Sequence, residues 1–321
     1  MNRCEPAHIT AVKPGWLTTV QDLGRVGYQQ YGVPVSGAMD RRDFIIANRL
    51  IGNLDHDAGL EITVKGPELL FEQASVIAVT GADLVPSVNG IGIPLWTSVP
   101  VERGSRLAFG ARRAGARSYV AIAGGIDVPI VLGSRSTHTY SRTGGIKGRA
   151  LAQGDVLMGG APGPHAGATI GRALPERLRP DYSTFTILRI LPGHQQSSFA
   201  EDALALLTGS PYRLSNQSDR MGYRLDGPKI AHAGAGEWIS EGTAMGALQV
   251  PLDGQPILLM ADRHTTGGYP KIAIVISADL HLGAQLMPGD TVEFRTTTLP
   301  EAQALMKAEW IEIDEAIPPY R

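Results

Sequence analysis

The chain has a single cysteine, Cys4, so no disulfide can form within it, which fits a reducing compartment. Cys4 falls in a terminal arm, and no catalytic role is expected of it. There is no basic excess: 29 Lys and Arg against 31 Asp and Glu give a formal net charge of -2. Nucleic-acid and membrane-surface binders need a positive balance, so neither partner class is expected. The apolar runs fall far short of the roughly 20 residues of a membrane helix. The opening MNRCEPAHIT lacks the apolar stretch of a signal peptide, and the cytoplasm is the expected location. No Gly-x-x-x-x-Gly-Lys-Ser/Thr loop occurs, so the common phosphate cradle is missing. No His-Glu-x-x-His or similar spacing is present, and no metal is expected. The glycine-rich pieces do not follow a strand–helix–strand pattern, so no dinucleotide fold is expected.

What remains is a near-neutral globular chain of 321 residues, 43% hydrophobic, with 39 glycines and 22 prolines. Turn formers at that density point to short strands and tight connections. Extended patterns occur at Leu60–Val64, Val76–Thr80, Arg106–Phe109, Ser118–Ala123, Phe185–Leu191, Ile257–Ala261, Lys271–Ser277 and Thr291–Arg295, each bounded by Gly, Pro, Asp or Asn. Helical spacing predicts helices over Met39–Ile51, with Ser36 in its N-cap region, and over Ser197–Thr208 and Pro300–Glu309. The expected class is mainly β, with closed or nearly closed sheets that leave few free edges.

The chain also carries matched segments, which read as an internal duplication or as the strand-turn-strand rhythm common to β proteins. GLEITVKGPELLF at Gly59–Phe71 matches GALQVPLDGQPILLM at Gly246–Met260, and SVIAVTGADL at Ser75–Leu84 matches KIAIVISADL at Lys271–Leu280. A looser match joins QDLGRVGY at Gln21–Tyr28 with QSDRMGYRL at Gln217–Leu225. Two halves follow, 1–170 and 171–321, with a linker expected over His165–Pro180. Between its matched strands the first half has the short turn Glu72–Ala74, whereas the second carries Asp262–Pro270. An insertion on a packed frame lies outside the core, where loops carry function.

That insertion holds the richest chemistry. An apolar run, Pro256–Ala261, ends in Asp262-Arg263-His264-Thr265-Thr266-Gly267-Gly268-Tyr269. Histidine is the side chain suited to proton transfer near neutral pH, which makes His264 the leading candidate. Asp262, two residues earlier on an extended chain, would point the same way and orient it. The same triplet reads equally as a hydrogen-bonded surface turn. Arg263 and Arg220 can hold a carboxylate or phosphoryl group bidentately. For Arg220, a structural ion pair with Asp219 or Asp226 is an equal reading. Thr265, Thr266, Gly267 and Gly268 can present N–H groups to an oxyanion, glycine allowing close approach. The alternative is a tight turn before Pro270. Tyr269 can donate its hydroxyl to a carbonyl or cap a barrel rim. Gln249, in the preceding strand, needs polar partners if buried, a substrate amide among them. A second polar run, Ser134–His138 with Thr143, Gly144 and Gly145, has the donors of an anion site or of a contact between subunits.

Taken together, TTVQDLGRVGYQQYGVPVSGAMD, AIAGGIDVP, LGSRST, SDRMGYRLDG and SEGTAMGALQVPLDGQPILLMADRHTTGGYP resemble the allophanate hydrolase subunit 2 family, also called KipA or the C component of 5-oxoprolinase. The resemblance covers nearly the whole chain. It implies two cyclophilin-like β-barrel repeats with a few short helices. It implies two partner proteins, one KipI-like and one LamB/YcsF-like, and joint opening of 5-oxoproline to L-glutamate. The small-molecule reaction would use ATP in the complex, with one of the partners open as its binder. Under this reading His264, Asp262 and Tyr269 are catalytic, while Gln249, Arg220, Arg263, Thr265, Thr266, Gly267 and Gly268 bind substrate. Relatives also serve as carboxyltransferase components of biotin-dependent, urea-type carboxylases, and biotin enters under that alternative alone. No Ala-Met-Lys-Met biotin-carrier motif is present. A third reading is a regulatory protein that antagonises a KipI-like kinase inhibitor.

Overall fold

The computed structural model describes residues 6–163, 166–234 and 238–320; Cys4 and His165 lie outside them. The chain divides into two compact units. Met1–Arg25, Ser36–Tyr182 and Glu312–Arg321 form the first, and Val26–Val35 with Ser183–Ile311 the second.

The first unit carries β1 (His8–Lys13), β2 (Leu17–Gln21), β3 (Gly59–Thr63), β4 (Glu68–Phe71), β5 (Ser75–Asp83), β6 (Pro86–Val88), β7 (Ile91–Gly92), β8 (Ser98–Val101), β9 (Arg106–Phe109), β10 (Ala114–Ile122) and β11 (Val156–Met158), with helix α1 at Arg41–Leu50. The strands form a six-stranded sheet, β11-β1-β4-β9-β6-β7, and a five-stranded sheet, β2-β3-β10-β5-β8. Leu60, Ile62, Leu69, Phe71, Ile77, Val79, Leu107, Val120 and Ile122 bury their side chains in one cluster. Helix α1 is capped by Asp40, whose carboxylate accepts from the Asp43 N–H at 3.0 Å. Ser36, expected at the cap, instead takes a positive φ of 58° and donates to the Thr137 carbonyl at 3.1 Å.

The second unit contains β12 (Phe185–Pro192), β13 (Tyr212–Leu214), β14 (Gly222–Asp226), β15 (Glu241–Gly242), β16 (Ala247–Gln249), β17 (Ile257–Leu259), β18 (Thr266–Gly267), β19 (Lys271–Val275) and β20 (Thr291–Thr296). Its helices are α2 (Ala203–Thr208) and α3 (Leu280–Ala284), while α4 (Leu299–Ala316) runs on into the residues of the first unit. Seven of these strands close a barrel in the order β12-β19-β16-β17-β14-β13-β20. Alternation fills it: Leu188, Ile190, Tyr212, Tyr223, Leu225, Leu248, Leu258, Val292 and Phe294 are all buried. Successive side chains on a strand take opposite faces, so the residues between them face outward. The expected mainly β class therefore holds.

The matched motifs do not share strand partners. β16 pairs with β17 and β19, but β3 pairs with β2 and β10. Strand-turn-strand rhythm is common to both halves; which strands meet is decided by long-range packing.

Candidate functional site

The outward faces of β14, β17 and β16 form one wall of a cleft of about 350 Å³, lined there by Gly222, Arg224, Gln249, Ile257 and Leu259. Register explains the set. Gly222 lies opposite Leu259, and Ile257 lies opposite both Arg224 and Gln249. The rest of the lining comes from Gln217, Asp219 and Met221 before β14, and from Thr243, His264, Thr266, Gly267, Gly268 and Tyr269. A concavity of this size, with polar side chains set among Met221, Ile257 and Leu259, suits a small polar metabolite.

The insertion is held in place as a ribbon. β15 and β18 pair antiparallel, Glu241 opposite Gly267 and Gly242 opposite Thr266. The ladder continues through the Thr243 N–H, which donates to the Thr265 carbonyl at 3.0 Å. The Thr243 hydroxyl donates to the His264 carbonyl. Thr243 thus fixes the backbone on which the exposed His264 ring stands. Gln249 is buried, and its amide donates to the Tyr269 carbonyl at 3.3 Å. A Cβ on Gly267 would stand 2.5 Å from Gln249 Nε2, so glycine lets the ribbon approach the Gln249 amide without displacing it. The positive φ that glycine also permits is not used at Gly267 or Gly268.

Six of the ten expected site residues line the cleft: Gln249, His264, Thr266, Gly267, Gly268 and Tyr269. The other four act differently. Both carboxylate oxygens of Asp262 accept from Arg220, Oδ2 from Nε at 2.8 Å and Oδ1 from Nη2 at 3.0 Å. Both side chains are buried, 7% and 5% exposed. The pair arises because the β14–β17 ladder runs past its strands: the Asp262 N–H donates to the Arg220 carbonyl at 2.8 Å. The geometry pairs the Asp262 carboxylate with Arg220, where orientation of His264 was expected, and Arg220 meets Asp262 rather than Asp219 or Asp226. Asp219 instead caps its own turn, accepting from the Met221 N–H at 2.7 Å. Arg263 lies back along the backbone, Nε donating to the Thr243 carbonyl at 3.5 Å and Nη1 to the Met260 carbonyl at 3.4 Å. Thr265 serves the ribbon ladder through its carbonyl.

The cleft also includes Gln217, Met221, Arg224 and Thr243, which the local pattern did not single out. The repeat placed QSDRMGYRL beside a strand, but its contact with the insertion needs the β14–β17 pairing.

In the first unit, the Ser134–His138 run is turned inward. Ser134 Oγ donates to Asp22 Oδ1 at 2.6 Å, the Arg135 N–H to Asp22 Oδ2 at 2.6 Å, and Ser136 Oγ to Asp22 Oδ1. The anion these donors hold is the protein's own carboxylate. Among the described residues, no group of three His, Cys, Asp or Glu could hold a metal ion. Among the same residues, no helix is long and apolar enough to cross a membrane.

The family model for the carboxyltransferase domain, subdomain A and B, matches residues 31–296; the chain belongs to this family. It is 38% identical to the C component of 5-oxoprolinase from Escherichia coli strain K12, over 91% of this chain and 92% of that protein. It is 33% identical to urea amidolyase of Saccharomyces cerevisiae, over 96% of this chain but 18% of that protein. The crystal structure of Kluyveromyces lactis urea carboxylase superposes with a TM-score of 0.91 at 34% identity, covering 97% of this chain and 29% of that one.

Proposed function

We propose that this chain is the C component of an ATP-dependent 5-oxoprolinase, acting with a KipI-like and a LamB/YcsF-like partner to open 5-oxoproline to L-glutamate in the cytoplasm. The observation that carries the reading is the 38% identity to the Escherichia coli protein over 92% of its length. The cleft supports it with matching chemistry. Gln249 offers amide groups to a lactam. The Thr266-Gly267-Gly268 backbone and the Tyr269 hydroxyl offer donors where charge grows on an opening amide. His264, on a backbone fixed by Thr243, moves the proton. Asp262 and Arg220 hold the base of the ribbon to β14.

ATP fits this cleft poorly. Its lining has one cation, Arg224, and no glycine-rich loop leading into a helix, and we assign the nucleotide to one of the partners. The carboxyltransferase role of a biotin-dependent, urea-type carboxylase is a second reading, favoured by the likeness to Kluyveromyces lactis urea carboxylase. A biotin carboxylase and biotin carrier encoded nearby would support it; a LamB/YcsF-like neighbour would oppose it.

The test is reconstitution of the three proteins with 5-oxoproline and ATP, reading glutamate. His264→Ala is expected to lower turnover by about a hundredfold to ten-thousandfold, the range for losing a general acid or base. Unchanged glutamate production with His264→Ala would refute the site assignment.

A further inference from the structure

Lys271 opens β19 and lies opposite Gln249 across the β16–β19 ladder. Directly opposed residues on one face have Cβ atoms about 5 Å apart, so the lysine stands beside the glutamine that lines the cleft. Its side chain is 9% exposed. Among the described residues its ammonium, shielded from solvent, makes no hydrogen bond. Lysine normally buries its stem and keeps its head in water. An ammonium held dry with its donors unspent is costly to maintain, and beside a cleft it is a ready anion receptor.

The counter-charge is Glu241, whose Oε2 lies 3.6 Å from Lys271 Nζ, beyond hydrogen-bond range. Glu241 is 40% exposed and sits on β15, directly opposite Gly267 of the cleft wall. The same Oε2 lies 3.0 Å from His194 Nε2, so the carboxylate has a second partner. The lysine itself is fixed, since its N–H donates to Gln195 Oε1 at 2.8 Å.

We propose that Glu241 is a stand-in anion on Lys271. A ligand carboxylate entering beside Gln249 displaces it and takes the hydrogen bonds of the ammonium, while Glu241 stays with His194. The ligand class is a small molecule joining an amide to one carboxylate, the amide meeting Gln249 and the carboxylate meeting Lys271. Naming 5-oxoproline as that ligand rests on the function proposed above; the anion site does not.

The experiment is nuclear magnetic resonance of the protein carrying nitrogen-15 lysine, with the Lys271 ammonium signal assigned by its loss in Lys271→Met. Titrants are 5-oxoproline, its carboxylate-free analogue pyrrolidinone, acetate and acetamide. The signal should move with 5-oxoproline and acetate and stay still with the two neutral compounds. Lys271→Met should weaken 5-oxoproline binding about tenfold or more, the loss of one charge-assisted hydrogen bond, and leave pyrrolidinone unaffected. Glu241→Gln should bind 5-oxoproline more tightly, because the competing anion is gone. A purely structural lysine would give the opposite sign in Glu241→Gln or no change. A Lys271 signal indifferent to both carboxylates overturns the proposal, even if the assembly turns over 5-oxoproline. A signal that moves with acetate but not with 5-oxoproline keeps the anion site and overturns its assignment to that substrate. A response to acetate, with no 5-oxoproline turnover in the three-protein assembly, keeps the site and refutes the proposed reaction.

Discussion

Removing the Asp262 carboxylate should destabilise the barrel unit more than it alters the chemistry of the cleft. Asp262→Asn keeps the shape and removes the charge; Asp262→Ala removes both. Either change strips Arg220 of a bidentate partner at 2.8 and 3.0 Å, in a place where the two side chains are 7% and 5% exposed. Breaking a buried pair from one side costs about 3–5 kcal/mol, because the remaining charge has been taken out of water. Replacing both partners by apolar residues of similar volume is close to neutral. For a denaturant slope of about 2 kcal/mol per M, a loss of about 4 kcal/mol lowers the urea midpoint by about 2 M. The assay is urea unfolding of the wild type, Asp262→Ala, Arg220→Met and the Arg220→Met, Asp262→Leu double variant. The double variant should recover most of the loss. A cost below about 1 kcal/mol for Asp262→Ala would refute the reasoning, since a buried pair broken from one side costs several times that. So would a loss of turnover with stability unchanged, which would return Asp262 to the role of partner to His264.

Two further outcomes are expected. Gly267→Ala drives a Cβ to within 2.5 Å of Gln249 Nε2; the amide, being the end of a flexible side chain, should swing away and lose the Tyr269 carbonyl. The cost should be about 1 kcal/mol, with a larger effect on substrate KM than on the melting temperature; an unchanged KM would contradict the close-approach role. In the first unit, burial pushes the Tyr119 phenol well above its ordinary value, helped by the nearby Glu61 and Asp40 carboxylates. A raised folded pKa gives stability that is complete below the unfolded value, about 10, and is lost as pH rises beyond it. Alkaline unfolding followed by phenolate absorbance should therefore begin above about pH 10, and Tyr119→Phe should make the loss less steep by one proton; an unaltered slope would count against it.

Several features were legible from residue order alone. Arg106–Phe109 is a strand as the pattern implied, and Phe185–Leu191 lengthens by one residue to Pro192. The helix expected over Met39–Ile51 forms at Arg41–Leu50. The helix expected over Ser197–Thr208 shrinks to Ala203–Thr208, behind a short 3-10 turn at Gln196–Ser198. That over Pro300–Glu309 extends to Leu299–Ala316, since nothing in Trp310–Glu315 breaks a helix. The insertion after the apolar run was visible as a departure from the repeat, and it does supply much of the cleft wall.

Motifs spread along the chain carried the family, and residue order settled what is local: the strand and helix stretches and the polar insertion after Ala261. These depend on periodicity and on neighbours a few residues apart. Tertiary structure decided which groups meet. The β14–β17 ladder brought Arg220 to Asp262 across 42 residues of sequence, turning two expected site residues into a buried tie. The β16–β19 register set Lys271 beside Gln249, and the β15–β18 ribbon put Glu241 over it. Strand pairing and closure of the barrel fix these meetings, and neither is written in the spacing of residues along the chain.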